Sequence, residues 1–179
     1  MTYADAVPAL RSGLVVEVPE AEPAVGALRL QLDPQARLGV PAHITVLYPF
    51  AAPSRIDHAT LDRIAGAMRD VHVFDYRLIG TDWFGADVVW LAPDDKTPFR
   101  ALTSLLSDEF PEYPPFGGQF SEVVPHLTIG DHGSLSELRA AEQSVQEHLP
   151  ISATARQVSL FAEQDSGRWA RQAVFAFAT

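Results

Sequence analysis

The chain contains no cysteine. That excludes thiol nucleophiles, thiolate metal sites and disulfides together, and leaves a protein that needs no oxidising compartment. Basic residues are scarce as well, with 13 Lys plus Arg against 23 Asp plus Glu and a net charge of −10. An average field of that sign repels polyanions and argues against long duplex nucleic acid as a partner, while a small phosphate in a local cleft stays compatible with it. No apolar run approaches the roughly 20 residues of a membrane span, and the opening MTYADAVPALRSG lacks the basic start and apolar core of a secretion signal. The expectation is a cytoplasmic protein without membrane association. Low-complexity sequence is also missing.

Core-forming residues are plentiful. Apolar residues make up 47% of the 179 positions and charged ones 20%, ordinary usage for a chain that folds by itself as one domain. GLVVEV (Gly13 to Val18) reads as a strand. Val25, Leu28 and Leu32 then recur at helical spacing behind Pro23, a residue suited to a first helical turn. His43 to Tyr48, β-branched and bounded by prolines, reads as a strand, and Ser54 with Asp57 opens a helix carrying Leu61, Ile64, Met68 and Val71. Phe74, Tyr76 and Leu78 alternate in a strand that GAD (Gly85 to Asp87) turns back into VVWLA, a hairpin.

From Val88 the same order begins again. A helix capped by Thr97, with Pro98 behind it, points Phe99, Leu102, Leu106 and Phe110 inward. A second apolar strand with one histidine follows. Ser134 and Glu137 form a capping box for a helix carrying Leu138, Val145 and Leu149, and strands are expected at Ala153 to Phe161 and Trp169 to Phe177. The unit strand, helix, strand, helix, strand is thus written twice. We expect one domain over 1–179 with lobes built from approximately 13–84 and 88–179.

Within this repeat, HITV (His43 to Val46) and HLTI (His126 to Ile129) occupy equivalent places, 83 residues apart. Strand side chains alternate, so His43 shares a face with Thr45, and His126 with Thr128, over an apolar underside. A strand histidine or threonine is most often only a packed residue. Chance placement of the histidines and threonines gives about 0.07 matches to the pattern, so a pair by accident has odds on the order of 0.002. Two imidazoles flanking one substrate suit phosphodiester chemistry near neutral pH: one takes a proton from the nucleophile, the other gives one to the departing oxygen. Threonine hydroxyls can donate to the non-bridging phosphate oxygens.

The paired motifs, with their flanks HITVLYPF and PPFGGQFSEVVPHLTIG, resemble those of the two-histidine (2H) phosphoesterase superfamily, in its 2'-5' RNA ligase-like and cyclic phosphodiesterase branch. The resemblance implies an α+β fold, bilobal and pseudo-twofold, in which two antiparallel sheets flank a central cleft with helices outside. It implies metal-free opening of a 2',3'-cyclic phosphate on a small nucleotide or short RNA end, with His43 and His126 as acid–base pair and Thr45 and Thr128 as phosphate binders. No cofactor is expected, and the chain is expected to act as a monomer. RNA-acting members often carry a basic residue just after the second motif, where this chain has Gly130 and Asp131. The alternatives are RNA 2'-5' ligase-like activity and a non-catalytic nucleotide-binding module.

Among aromatics, Tyr48, Phe50, Trp83, Phe84, Phe116 and Phe120 are candidates to stack on a base. Phe116 is the one assigned to substrate binding, since its Pro/Gly-rich loop leads into the second motif. A metal site from His132, Asp131 and His43 is disfavoured, because Gly130 and Gly133 indicate a turn that carries His132 off the strand face.

Overall fold

The computed structural model describes residues 10–120 and 122–179; most of the opening segment MTYADAVPALRSG and Ser121 of the second motif's flank lie outside the described residues. The described chain follows the order β1 (Ser12–Glu17), α1 (Glu22–Leu32), α2 (Pro34–Arg37), β2 (His43–Leu47), α3 (His58–Met68), β3 (Phe74–Phe84) and β4 (Val88–Pro93). It continues with α4 (Thr97–Glu109), β5 (Leu127–Gly130), α5 (Leu135–Gln146), β6 (Ile151–Ala155), β7 (Gln157–Glu163) and β8 (Trp169–Ala176). No helix among the described residues is long and apolar enough to cross a membrane.

The strands form two four-stranded sheets, ordered β2-β1-β7-β8 and β5-β4-β3-β6, with every pairing antiparallel. This is the expected α+β architecture, but the sheets do not follow the halves of the sequence. β3, from the first half, belongs to the sheet of the second motif, while β7 and β8 complete the sheet of the first. Each sheet therefore draws strands from both 13–84 and 88–179. The expected strand from Ala153 to Phe161 is two strands, because the chain leaves one sheet at Ala155 and enters the other at Gln157, with Arg156 between them. The apolar positions run 151, 153 and 155 and then 158, 160 and 162, a change of parity at Arg156–Gln157 where the chain switches sheets.

Helices cross over in the same way. α1 packs against β5 and α4 against β2. Thr103 on α4 donates its hydroxyl to the Val46 carbonyl of β2 at 2.9 Å. Reciprocally, the Leu32 carbonyl at the end of α1 accepts from the backbone N–H groups of Asp131 and His132, each at 2.9 Å. The inner faces of both sheets consequently share one core, in which Leu14, Val16, Ile44 and Val46 meet Leu91, Leu127 and Ile129 together with Val25, Phe99 and Leu106.

Helix starts follow capping chemistry with two corrections. Asp57 alone caps α3, accepting from the Thr60 N–H at 2.8 Å, while Ser54 sits in a separate 3-10 turn. Thr97 is the first residue of α4 rather than its cap, and its N–H is taken by the Asp95 carboxylate at 2.8 Å. Ser134 and Glu137 form the expected capping box on α5.

At Gly130, α1 and α5 both come close to β5. A Cβ there would lie 2.7 Å from Leu32 Cβ and 2.9 Å from Leu138 Cδ2. No basic side chain fits at this position without driving α1 and α5 away. Gly130→Ala should lower stability by roughly 1–3 kcal/mol, the usual cost of overpacking; urea denaturation followed by circular dichroism checks it, and an unchanged midpoint would show that the contact yields freely.

Candidate active site

β2 and β5 are the outer strands of their sheets at the cleft, and they lie against each other across it. They are edge strands, not the central strands that a simple duplicated sheet would give, and it is this edge position that brings the two motifs face to face. Alternation works as expected: Ile44 and Leu127 are buried in the core, whereas His43, Thr45, His126 and Thr128 are half-buried on the cleft side. His43 opens β2, and His126 lies one residue ahead of β5.

The two imidazoles are anchored alike. His43 Nδ1 lies 2.7 Å from the Pro41 carbonyl and His126 Nδ1 lies 2.7 Å from the Val124 carbonyl, each two residues back. A carbonyl only accepts, so Nδ1 carries the proton in both rings and Nε2 is the nitrogen left to exchange one. His43 also lies within the electrostatic reach of His126.

Their surroundings differ. Burial, followed by the positive charge of Arg29, lowers His43 from the ordinary 6.5 to about 4. His126 is also lowered by burial and then by Lys96, though less than His43. Two aromatic rings accompany it: Phe84 at 4.9 Å, nearly perpendicular, and Trp90 at 5.7 Å. Trp90 pairs with Thr128 across β4 and β5, and Val15 occupies the equivalent place opposite Thr45 across β1 and β2.

Each motif borders its own cavity. On the His43 side, about 200 Å³ is lined by His43 and Thr45 with Val15, Tyr48, Phe161 and Trp169. On the His126 side, about 500 Å³ is lined by His126 and Thr128 with Phe84, Phe116, Phe120 and Glu122. The larger of the two falls within the range of roughly 300–1,000 Å³ typical of small-ligand clefts. Phe116 is held in a left-handed conformation (φ 51°), unusual for a residue with a side chain, by a 3-10 turn whose N–H at Phe116 donates to the Tyr48 carbonyl at 2.6 Å.

Of the candidate aromatics, Tyr48 borders the His43 cavity and Phe84, Phe116 and Phe120 the other. Phe50 instead packs edge-on against Phe110 and Tyr113, and the Trp83 indole donates to Glu142 at 3.0 Å. Phe161, Trp169 and Trp90 escaped the sequence reading. Phe161 lies in the continuous apolar run LFA, Trp169 opens β8 and Trp90 lies in VVWLA, so their cleft side is legible only once the sheet that each strand joins is known. His132 is exposed and engages Asp131 at 2.9 Å, and no three His, Asp or Glu side chains converge as a metal-binding group among the described residues.

The duplicated sheets, with a histidine and a threonine on each facing edge strand, define a two-lobed phosphoester-handling scaffold, and comparison with known proteins agrees. Residues 17–167 match the family model of the 2'-5' RNA ligase superfamily, and the chain belongs to that superfamily of two-histidine phosphoesterases. Among solved structures it is similar to Escherichia coli LigT complexed with 3'-AMP, at 16% identity over 96% of this chain and 99% of that one, with a TM-score of 0.62. It is likewise similar to LigT complexed with NADP+ (18%, 96% and 99%, TM-score 0.59) and to a crystal structure described as a phosphoesterase (18%, 95% and 99%, TM-score 0.61). These likenesses establish the fold. Comparison with curated proteins found no match.

The depressed His43 couples folding to pH. Between 6.5 and about 4 the unfolded chain binds a proton that the folded ring refuses, so stability falls as pH drops through this window. The stability difference between wild type and His43→Gln should therefore shift in the variant's favour on acidification from pH 7 to 4. Denaturant titrations at several pH values measure it, and a difference independent of pH would mean that the ring is not desolvated.

Proposed function

We propose that the protein is a metal-independent phosphodiesterase that opens a 2',3'-cyclic phosphate on a small nucleotide or short RNA end, using His43 as general base and His126 as general acid. One observation carries the reading. Two imidazoles on neighbouring edge strands have identical Nδ1 anchors, so each keeps Nε2 free on a strand face shared with a threonine, an arrangement that packing alone does not require twice.

The step balances without a metal. His43 Nε2 takes a proton from water as the water oxygen bonds to phosphorus. The bond from phosphorus to one ribose oxygen breaks, and protonated His126 gives its Nε2 proton to that oxygen. A phosphomonoester remains, and exchange with solvent restores both rings. Thr45 and Thr128 donate to the non-bridging oxygens, meeting the charge that builds in the transition state. The roles follow from the surroundings. Burial and the buried cation of Arg29 keep His43 neutral, as a base must be; His126, lowered by burial and Lys96 but with no such buried cation, is the ring assigned the proton, which the substrate's phosphate anion would favour.

The aromatic walls supply stacking surfaces for a base, with Phe116 over the His126 side. LigT complexed with 3'-AMP supports a nucleotide-sized substrate, since a nucleoside phosphomonoester is what this hydrolysis leaves. Acidic Glu122 beside the larger cavity and the glycine enforced at position 130 weigh towards a substrate with few additional phosphates. The absence of cysteine accords with a cytoplasmic setting.

Purified protein should hydrolyse members of a panel of 2',3'-cyclic nucleotides and cyclic-ended RNA, and EDTA should leave the rate unchanged. His43→Ala and His126→Ala should each cost on the order of 10²-fold or more in kcat, and the double variant much less than the product. Thr45→Val or Thr128→Val should cost roughly 2–4 kcal/mol of transition-state stabilisation. Binding without turnover would replace the enzyme reading with that of a nucleotide-binding module.

The pH profile is a separate test. kcat/KM should trace a bell whose acid limb is set by His43 near 4 and whose alkaline limb, set by His126, lies below the ordinary 6.5. A bound phosphate anion favours imidazolium, so the alkaline limb of kcat should lie at higher pH than that of kcat/KM. An optimum above pH 8 for kcat/KM would overturn the assignment.

A further inference from the structure

Arg29 is among the largest fully buried side chains, 2% exposed, and the chemistry above gives it no role in contact with substrate. It lies on the apolar side of α1 with Val25 and Leu32. Its Nε and Nη2 donate to Asp33 Oδ2 at 3.1 and 2.6 Å, and its Nη1 donates to the Val40 carbonyl at 3.3 Å. Asp33, itself 3% exposed, uses its other oxygen to accept from the Gln35 N–H at 2.8 Å, capping α2.

A buried ion pair is weak as a source of stability, because desolvation offsets much of the attraction. What this one does is local. Val40 immediately precedes Pro41, whose carbonyl holds His43 Nδ1. The adjoining Ala42 N–H is taken by the Glu22 carboxylate from the start of the same helix at 2.6 Å, and the Ala42 carbonyl accepts from Val18 at 2.8 Å. Val40 and Ala42, on either side of Pro41, are therefore both anchored, and among the described residues Arg29 is the side-chain donor that reaches this stretch. The corresponding carbonyl of the second half, Val124, lies in a segment where no buried ion pair occurs among the described residues.

We propose that Arg29, neutralised by Asp33, is a positioning residue for His43: it fixes the Val40–Pro41 backbone whose carbonyl selects the Nδ1–H tautomer, and so reserves Nε2 as the proton-accepting atom. The proposal rests on the catalytic reading above for its importance but not for its test. The charged and titratable groups facing His43 are Arg29 and Asp33 from α1 and its end, His126 from ahead of β5, and Glu17 directly opposite on β1. Glu17 is engaged by Ser159 at 2.6 Å and by Arg171 at 3.1 Å. Arg29 is the group whose charge opposes protonation of His43 most, and Asp33 acts in the opposite sense.

The test is nitrogen-15 NMR of the imidazoles in wild type, Arg29→Met, Arg29→Lys and Asp33→Asn, read from pH 7 to pH 4. Wild type should show one His43 tautomer, with the proton on Nδ1. In Arg29→Met the ring should become a mixture of tautomers and its titration should move to higher pH. Arg29→Lys keeps the charge and loses the fork, so the titration should stay low while the tautomers still mix. Asp33→Asn should move the titration down, the opposite direction, which a merely structural lesion would not do.

If Arg29→Met does not fold, the Lys and Asn variants decide by the same signals. The His126 ring should be unaffected throughout. A single wild-type tautomer in the folded Arg29 variants, or titrations that move the same way in Arg29→Met and Asp33→Asn, would overturn the proposal. Activity adds a second reading: kcat of Arg29→Met should fall about 10- to 100-fold with KM little changed, the signature of misalignment. If wild type turns over no cyclic phosphate, the catalytic reading fails while the NMR result still stands for or against Arg29.

Discussion

Neither sheet can bury its inner face alone, and the cleft exists because of how that is resolved. Helices α1 and α4 each lie under the motif strand of the opposite sheet, so the two inner faces close over one shared core. The outer strands β2 and β5 are then held edge to edge, and alternation points one side chain of every pair outward between them. Burial of Ile44, Val46, Leu127 and Ile129 is what presents His43, Thr45, His126 and Thr128. The chemistry on the outward face is thus positioned by the packing beneath it. Gly130 and Leu32 show how tight that packing is.

The candidate site was legible in the sequence because its pattern is short, local and written twice: a period of two along a strand needs no knowledge of topology. The helices were legible for a similar reason, since caps such as Ser134 and Asp57 act within one turn. Sheet membership was not. The alternation shifts by one residue at Arg156–Gln157, from 151, 153 and 155 to 158, 160 and 162, but such a shift also fits a bulge within one strand and does not say that the chain changes sheets. Long-range pairing is decided by which partner completes a sheet, a non-local competition. The same gap hid Phe161 and Trp169, whose cleft-facing side follows from β7 and β8 joining the first motif's sheet.

Arg29 was hidden differently. It stands at helical spacing with Val25 and Leu32, in a position where an arginine is ordinarily a solvated neighbour of the apolar face. Only its carboxylate four residues on, Asp33, hints at burial, and that spacing also describes many exposed pairs. The consequence is an asymmetry between two half-sites whose motifs are almost identical. One histidine is backed by an immobilised cation, the other is ringed by Phe84 and Trp90. Pseudo-symmetry supplies two equal groups, and residues outside the motifs make them unequal, as the proposed base and acid need to be.

The exchange of strands bears on how such a molecule can be divided. A cut in the β3–β4 hairpin would release two pieces of comparable length, yet each would carry a strand that belongs in the other's sheet: β3 in the first, β7 and β8 in the second. Neither fragment would hold a complete sheet, and each would expose the face of a helix shaped for its counterpart. Such pieces have one way to become globular, which is mutual embrace. A single unit of this kind, copied rather than fused, would meet the same need by pairing with itself, and its histidines would face each other across a true twofold axis. Fusion into one chain is what frees the two sides to diverge.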